Sequence, residues 1–217
     1  MTKKRIVQLL LGAAFLLAAA HAVNEALGWP SWLMRYFFDM DRECTIQSWF
    51  SSMIWFFCAQ KAFACSRMKA SASSKPCWML LTFFFGLCSL DEVAMFHERF
   101  GVAFYKLLRP HVSEALSLHA HWVLALAPIL LIGGFCVCRA FVRCFAGSPQ
   151  VAKKVCFGFA LVMMGAVVLE AVMVRDGQPA GLMTQIEVVV EETLEMMGVI
   201  LILSGLLTYL EQDEKKA

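Results

Sequence analysis

Long apolar stretches run through the whole chain, separated by short connections rich in basic, aromatic or small polar residues. A helix needs about 20 consecutive apolar residues to cross the hydrocarbon core of a bilayer. Six stretches reach that length, at about 5–26, 45–66, 77–98, 120–142, 153–174 and 183–210. Because a spanning helix satisfies its own backbone hydrogen bonds in lipid, the pattern predicts an all-α, polytopic membrane protein with six transmembrane helices. Residues 1–217 are expected to form a single transmembrane helical bundle.

Two connections are expected to contain interfacial helices. Residues 29–43 mix aromatic with charged side chains, and residues 100–118 place Phe104, Leu107, Leu108 and Val112 on one helical face. An amphipathic helix of this kind lies in the plane of the membrane surface.

The composition agrees with a membrane protein. Of the 217 residues, 60% are hydrophobic and 17% charged, and the mean hydropathy is +0.67. Soluble domains are about 45–50% apolar and about 25% charged. No basic cluster with interleaved aromatic residues occurs, so membrane lipid is the expected partner and nucleic acid is not. The nine cysteines mostly lie in apolar runs or beside basic loops, which favours small buried hydrophobic residues over a disulfide framework.

Charge in the connections predicts the orientation. With the N-terminus inside, 13 of the 19 lysines and arginines fall on the cytoplasmic side, as the positive-inside rule requires. Both termini are therefore expected in the cytoplasm, with the chain in a bacterial inner membrane. Lys3-Lys4-Arg5, the following apolar run and Ala20-His21-Ala22 also imitate a secretory signal. We interpret this segment as the first spanning helix, with cleavage as the alternative.

Ionisable residues gather at the outer side of the predicted bundle. The segment Leu90–Glu98 carries three carboxylates and a histidine at the outer end of the third predicted span. No turn signal interrupts this helix, so Asp91 and Glu98 are predicted to lie two turns apart on one face, with His97 pointing away from it. A carboxylate at mid-bilayer costs roughly 2.5–3.5 kcal/mol on insertion scales, so such residues are functional-site hypotheses.

A second acidic stripe is predicted on the last span. Glu187, Glu191 and Glu195 are spaced at i, i+4 and i+8, which places them on one helical face. We expect this stripe to form the wall opposite Asp91. Three uses are open for such a site: a metal centre, shared protons that carry ions, or polar groups that only fasten helices together.

Mixed carboxylate and histidine ligands suit several divalent metals, and Zn, Fe, Mn and Ca are not distinguishable here. The candidate metal ligands are Asp91, His97, Glu98, His119, His121, Glu187, Glu191 and Glu195. The candidate catalytic carboxylates are Asp91, Glu92 and Glu192, and the secondary candidates are His21, Glu25, Glu43 and Glu170.

Several motifs carry a resemblance to known proteins. They are Asp41-Arg42-Glu43 followed by Trp49-Phe50-Ser51-Ser52, Ser89-Leu90-Asp91-Glu92 followed by His97-Glu98, and Glu191-Glu192 with Glu195-Met196. Together they resemble a group of uncharacterised bacterial multipass membrane proteins, a resemblance that implies no activity.

A second resemblance is to the alkaline ceramidases. Asp39, Asp41 and Glu43 are similar to an acidic segment before an early helix of that family, and Leu90-Asp91-Glu92 with Met95 to an Asp-Glu pair in a later one. The resemblance implies a membrane-embedded zinc hydrolase with a lipid amide as substrate. That family has seven spans and a His-x-x-x-His pair in its last helix, whereas the last predicted helix here contains no histidine.

These observations lead to one expected function and two alternatives. We expect a membrane-embedded, metal-dependent enzyme, a hydrolase of a lipid or another amphiphile, with its site open to the outer side. A metal-bound hydroxide would be the nucleophile and a remaining carboxylate the general base. The alternatives are a proton- or cation-coupled carrier that uses the same carboxylates, and a non-catalytic subunit of a membrane complex.

Overall fold

The computed structural model describes residues 2–42, 44–68, 73–108, 121–169 and 182–214. Within these ranges, the side chains of Glu98 and His121 are among those left out. The described part is helical, as the sequence predicts. Its helices are α1 (Lys3–Ala26), α2 (Trp32–Phe38), α3 (Ile46–Ser66), α4 (Lys75–Ala94), α5 (Phe96–Leu108), α6 (His121–Phe145), α7 (Pro149–Met163), a π-helical segment (Met164–Leu169) and α8 (Leu182–Glu214).

Five helical segments in the described ranges are long and apolar enough to cross a membrane. They are Lys3–Ala26, Lys75–Ala94, Pro128–Phe145, Pro149–Leu169 and Gln185–Gln212. The chain is therefore a helical membrane protein. Helix α3 has the position and length of the second predicted span but does not belong to this set, because polar residues such as Gln47, Ser48 and Ser51 interrupt its apolar sequence.

The third predicted span ends earlier than expected. Helix α4 stops at Ala94, and Met95 takes a left-handed conformation with φ 54° and ψ 42°. The Met95 amide donates to the Asp91 carbonyl at 2.8 Å, which closes the last turn before α5 begins at Phe96. The prediction of one continuous helix over 77–98 was wrong, since the chain changes direction between Asp91 and His97.

The last two spans pack closely through glycine. A Cβ atom on Gly158 would lie 2.6 Å from the Gly198 carbonyl oxygen, and one on Gly198 would lie 2.6 Å from the Gly158 carbonyl oxygen. Small residues allow helix backbones in membranes to approach in this way. The crossing holds α7 directly against the middle of α8.

Helix α3 lies in the centre of the bundle, where it packs on α4 and α8. Two serines fasten it to α4 by reciprocal bonds: Ser52 Oγ donates to the Ser89 carbonyl at 2.7 Å, and Ser89 Oγ donates to the Ser52 carbonyl at 2.9 Å. Cys58, Phe85 and Ile200 are fully buried where these three helices meet. Burial inside protein explains how α3 tolerates polar residues that lipid would not.

Contacts along α8 define the two ends of the bundle. At one end, Gln47 and Trp55 on α3 contact glutamates near the start of α8 and the end of α4; we call this the acidic end. At the other end, Lys3 Nζ donates to Glu211 Oε2 at 2.6 Å, and the Trp78 and Tyr209 rings lie 5.1 Å apart. Helices α1 and α8 are therefore antiparallel, and the start of α1 and the end of α8 lie together at the end opposite the acidic one.

Candidate functional site

A cavity of about 1750 Å³ lies between α4, α6, α7 and α8. Most of its wall is apolar, with residues such as Leu80 and Phe84 on α4, Phe141 on α6, and Phe159 and Met163 on α7. Phe83 and Leu131 also line it, and they are 64% and 74% exposed. The cavity is therefore a groove whose apolar side is open toward the surroundings of the bundle.

Carboxylates collect where this groove reaches the acidic end of the bundle. The lining acids are Asp41, Asp91, Glu92, Glu187, Glu191, Glu192 and Glu195, and His97 lies among them. No lysine or arginine in the described ranges lines the cavity. The groove is thus amphiphilic, with a long apolar part and a strongly acidic head.

Asp91 and His97 form the best-defined pair in the site. Asp91 Oδ2 lies 2.7 Å from His97 Nδ1, and Asp91 Oδ1 accepts the His97 backbone amide at 3.1 Å. Both side chains are about one third exposed, at 34% and 28%. Since an ionised carboxylate only accepts, His97 Nδ1 is the donor in this bond, and in the neutral form of the ring the lone pair would lie on Nε2. This arrangement orients an imidazole for use as a base or a metal ligand.

The direction predicted for His97 was wrong, and Met95 is the reason. A continuous helix would turn His97 away from Asp91, but the left-handed residue at 95 folds the start of α5 back over the end of α4. His97 thereby becomes the direct partner of Asp91. The Glu98 side chain, predicted to share a face with Asp91, lies outside the described part of the structure.

The predicted stripe on α8 lies along the same cavity as Asp91. Glu187, Glu191 and Glu195 all line it, and Glu187 is only 7% exposed. Gly165 in the π-helical segment approaches this stripe so closely that a Cβ atom there would lie 2.7 Å from Glu195 Cγ and 2.8 Å from the Glu191 carbonyl oxygen. The π-helical segment therefore packs directly behind two of the three glutamates.

Glu92 and Glu192 are each held by a neutral donor on α3. Trp55 Nε1 donates to Glu92 Oε1 at 3.1 Å, and Gln47 Nε2 donates to Glu192 Oε2. Both glutamates line the cavity. Helix α3 thus provides one neutral donor to a carboxylate on α4 and another to a carboxylate on α8.

The secondary candidates His21 and Glu25 belong to a different cluster. His21 is 3% exposed, and its Nδ1 accepts the Met40 backbone amide at 2.9 Å. Glu25 accepts from Trp29 Nε1 and from Gln185 Nε2. Neither residue lines the cavity, but Met40 does. His21 therefore positions a residue of the cavity wall through its bond to the Met40 amide.

Several candidates lie outside the described residues. They are Glu43, His119 and Glu170, together with the side chain of His121. Among the residues that the structure describes, no group of three or more His, Cys, Asp or Glu side chains is arranged to hold a metal ion. The metal centre, whose candidate ligands include Glu98, His119 and His121, stays a prediction.

The sequence reasoning missed two of the residues that build the site, Gln47 and Trp55. Their signal was the polar beginning of α3, where Thr45 caps the helix and Gln47, Ser48 and Ser51 follow in an otherwise apolar segment. Polar side chains at one end of a membrane helix indicate that they form hydrogen bonds to a neighbouring helix there.

Comparison with known proteins gives a family without an assigned activity. Neither a curated protein nor a solved structure matches the chain, and the resemblance to alkaline ceramidases stays a prediction. The match to a family profile covers residues 7–210, nearly the whole chain. The chain therefore belongs to the family described as Domain of unknown function (DUF8692).

Proposed function

We propose that the protein is a membrane-embedded hydrolase whose substrate is an amphiphile taken from the surrounding bilayer. One observation carries the proposal: a single groove joins a long apolar wall to an acidic head that contains an Asp–His pair. Ligand sites are concave and mostly apolar, with a few convergent polar groups. An amphiphile is the class of molecule whose two parts match this division.

In this proposal the tail lies against α4, α6 and α7, beside Phe84, Phe141 and Phe159. These rings already form one cluster, with the Phe141 and Phe159 centroids 4.8 Å apart. The exposed lining residues Phe83 and Leu131 face lipid when the bundle is in a membrane. A substrate can then enter sideways from the bilayer without passing through water.

The reaction proposed at the acidic head of the groove is hydrolysis of an ester or amide bond in the substrate. His97 Nε2 accepts a proton from a water molecule, whose oxygen attacks the substrate carbonyl carbon, and the imidazolium then protonates the leaving group. Asp91 holds the imidazole in the required tautomer and stabilises its charged form, in the manner of the carboxylate in catalytic triads.

We further propose that a divalent metal takes part, in line with the carboxylate-rich head. Glu187, Glu191 and Glu195 would supply oxygen ligands, with Glu98, His119 and His121 as further candidates. A bound metal lowers the pKa of its water and so supplies hydroxide at neutral pH. His97 Nε2 provides an electron pair in either case, to a proton or to the metal.

The finer topology is also a proposal. We propose that the chain crosses a bacterial inner membrane six times, with α3 added to the five apolar spans. Both termini then lie in the cytoplasm. The Lys3–Glu211 contact supports this count, because the start of the first helix and the end of the last helix lie at the same end of the bundle. Termini on one side of a membrane require an even number of crossings, and the five apolar spans need one more.

Hydrolysis of a chromogenic ester and of a fluorogenic amide, each with a long acyl chain, tests the proposed function. Purified protein is assayed in micelles with 4-nitrophenyl dodecanoate and with a dodecanoyl amide of aminomethylcoumarin. We expect turnover by the unaltered protein and a loss of at least about 100-fold in His97→Ala. Glu211→Gln should cause no change, because Glu211 does not line the groove and lies at the end of α8 opposite the acidic one. Failure of both substrates, with and without added Zn²⁺, would contradict the hydrolase.

Elemental analysis of the same samples tests the metal separately. We expect a stoichiometric divalent metal in the unaltered protein and its loss in Asp91→Ala and Glu195→Ala. Turnover without any metal would leave His97 as a metal-independent base and overturn only the metal part of the proposal.

A further inference from the structure

We propose that Met95 is a positioning residue for the reaction, because its left-handed backbone holds His97 against Asp91. This inference rests on the proposed function and adds to it a residue outside the groove, since Met95 does not line the cavity. It starts from an outlier of the backbone. Met95 has φ 54° and ψ 42°, a conformation that residues with a long side chain rarely adopt.

The local sequence favours a straight helix through this position. Residues 90–98 contain neither glycine nor proline. The Met95 amide donates to the Asp91 carbonyl at 2.8 Å, and the Arg99 amide donates to the Met95 carbonyl at 3.0 Å. Both bonds join residues four apart, as in an α-helix, so the helical pattern of bonds reaches Met95 from both sides. Other contacts must therefore maintain the left-handed residue.

Asp91 supplies two of these contacts. In a straight helix the His97 amide would donate to the Val93 carbonyl, four residues earlier. In the structure it donates to Asp91 Oδ1 at 3.1 Å, while the ring Nδ1 lies 2.7 Å from Oδ2. The Val93 carbonyl instead accepts a weak bond from Cys44 Sγ at 3.9 Å. The kink is thus tied to the catalytic pair on one side and to the start of α3 on the other.

A straight helix would separate the catalytic pair while leaving the chain helical. Six residues at 100° each place residues 91 and 97 about 120° apart around a helix, so Asp91 would no longer orient the His97 ring. Left-handed residues with side chains cost free energy, and they cluster at functional sites where the surrounding structure maintains them. We therefore assign the conformation of Met95 to the alignment of the Asp–His pair.

Substitutions at Met95 that differ in backbone preference test this role. Glycine adopts the left-handed conformation freely, whereas a β-branched residue strongly disfavours it. With 4-nitrophenyl dodecanoate we expect Met95→Val to lower kcat at least about tenfold and to leave KM within about twofold, and Met95→Gly to retain kcat. Leu90→Val is the matched control, because Leu90 is an exposed residue of α4 that does not line the groove.

A second measurement observes the His97 ring without any substrate. Full-length protein labelled with ¹⁵N-histidine is studied in lipid by solid-state NMR, and the His97 signals are identified by their absence in His97→Gln. We expect a strongly hydrogen-bonded Nδ1–H signal in the unaltered protein, in Met95→Gly and in Leu90→Val. Met95→Val should shift this signal toward that of a free imidazole.

The outcomes separate the positioning role from the proposed function. An unchanged ring signal in Met95→Val, or equal changes in Met95→Val and Met95→Gly, overturns the positioning role of the left-handed backbone. A signal that responds only to valine, in a protein that hydrolyses neither test substrate, overturns the hydrolase and leaves the positioning of His97 standing. If Met95→Val does not fold, Met95→Ala should give a smaller change in the same direction, and no change there overturns the inference.

Discussion

Met95 interrupts the continuous helix that the sequence predicts at the candidate site. Its φ of 54° is uncommon for a residue with a side chain, and no glycine or proline within residues 90–98 signals the turn. Counting 100° per residue through this point therefore paired Asp91 with Glu98. The structure pairs Asp91 with His97 instead, and this change turns a row of acids into an acid–base pair.

Gly158 makes the strongest residue-level prediction for stability. Its missing Cβ leaves room for the Gly198 carbonyl oxygen, which would lie 2.6 Å from that atom. We expect Gly158→Ala to push α7 away from α8 and to cost about 1–3 kcal/mol. Thermal unfolding in detergent measures this as a lower melting temperature.

Gly86 on α4 is the matched control, because nothing lies within 4 Å of the Cβ position there. We expect Gly86→Ala to be neutral or stabilising by up to about 1 kcal/mol, as for alanine in place of glycine within a helix. The same melting shift in both variants would contradict the close crossing of α7 and α8.

Helix α3 shows that a hydropathy pattern can predict where a helix begins and ends but not which helices it packs against. The predicted segment 45–66 and the observed helix Ile46–Ser66 nearly coincide. The pattern did not reveal that α3 lies between α4 and α8, nor that Gln47 and Trp55 hold two glutamates. Such long-range partners depend on the packing of several helices, which one helix's sequence does not specify.

The connection between α1 and α3 depends on His21. The Met40 amide that donates to His21 Nδ1 belongs to a residue only 3% exposed, so without its acceptor it would be buried and unsatisfied. We expect His21→Phe to cost about 1–3 kcal/mol and to lower the melting temperature. His21→Asn carries an oxygen near the position of Nδ1 and should recover most of the loss.

A second readout follows from the place of Met40 on the wall of the groove. We expect His21→Phe to slow the hydrolysis of 4-nitrophenyl dodecanoate while His21→Asn retains it. Identical melting and turnover in the two variants would contradict the role of the Met40 bond.

At the scale of the whole molecule, the sequence predicted a helical membrane bundle, and the structure confirms that much. It also predicted acids from separate spans at one end, and Asp91 does line the same cavity as Glu187, Glu191 and Glu195. The groove itself was not predictable, because its volume depends on how α4, α6, α7 and α8 are spaced in the folded bundle. Apolar periodicity reports which residues avoid water but not where helices stand apart.

The proposed six crossings make a direct prediction for the termini. Because Lys3 contacts Glu211, a reporter that is active only in the cytoplasm should be active at either end of the chain. Five crossings would instead place the two termini on opposite sides. Activity at one terminus only would therefore contradict both the contact and the proposed topology.

The central claim is that an amphiphile occupies the groove, and photolabelling tests it most directly. Dodecanol with a diazirine on its tail is irradiated with the protein in nanodiscs, and labelled peptides are mapped by mass spectrometry. We predict labelling at Phe141 and Phe159 that saturates and is displaced by excess unlabelled dodecanol. Labelling at Leu9 and Leu16, exposed residues of α1, should be neither saturable nor displaced. Labelling that is equally resistant to displacement at both places would contradict the account.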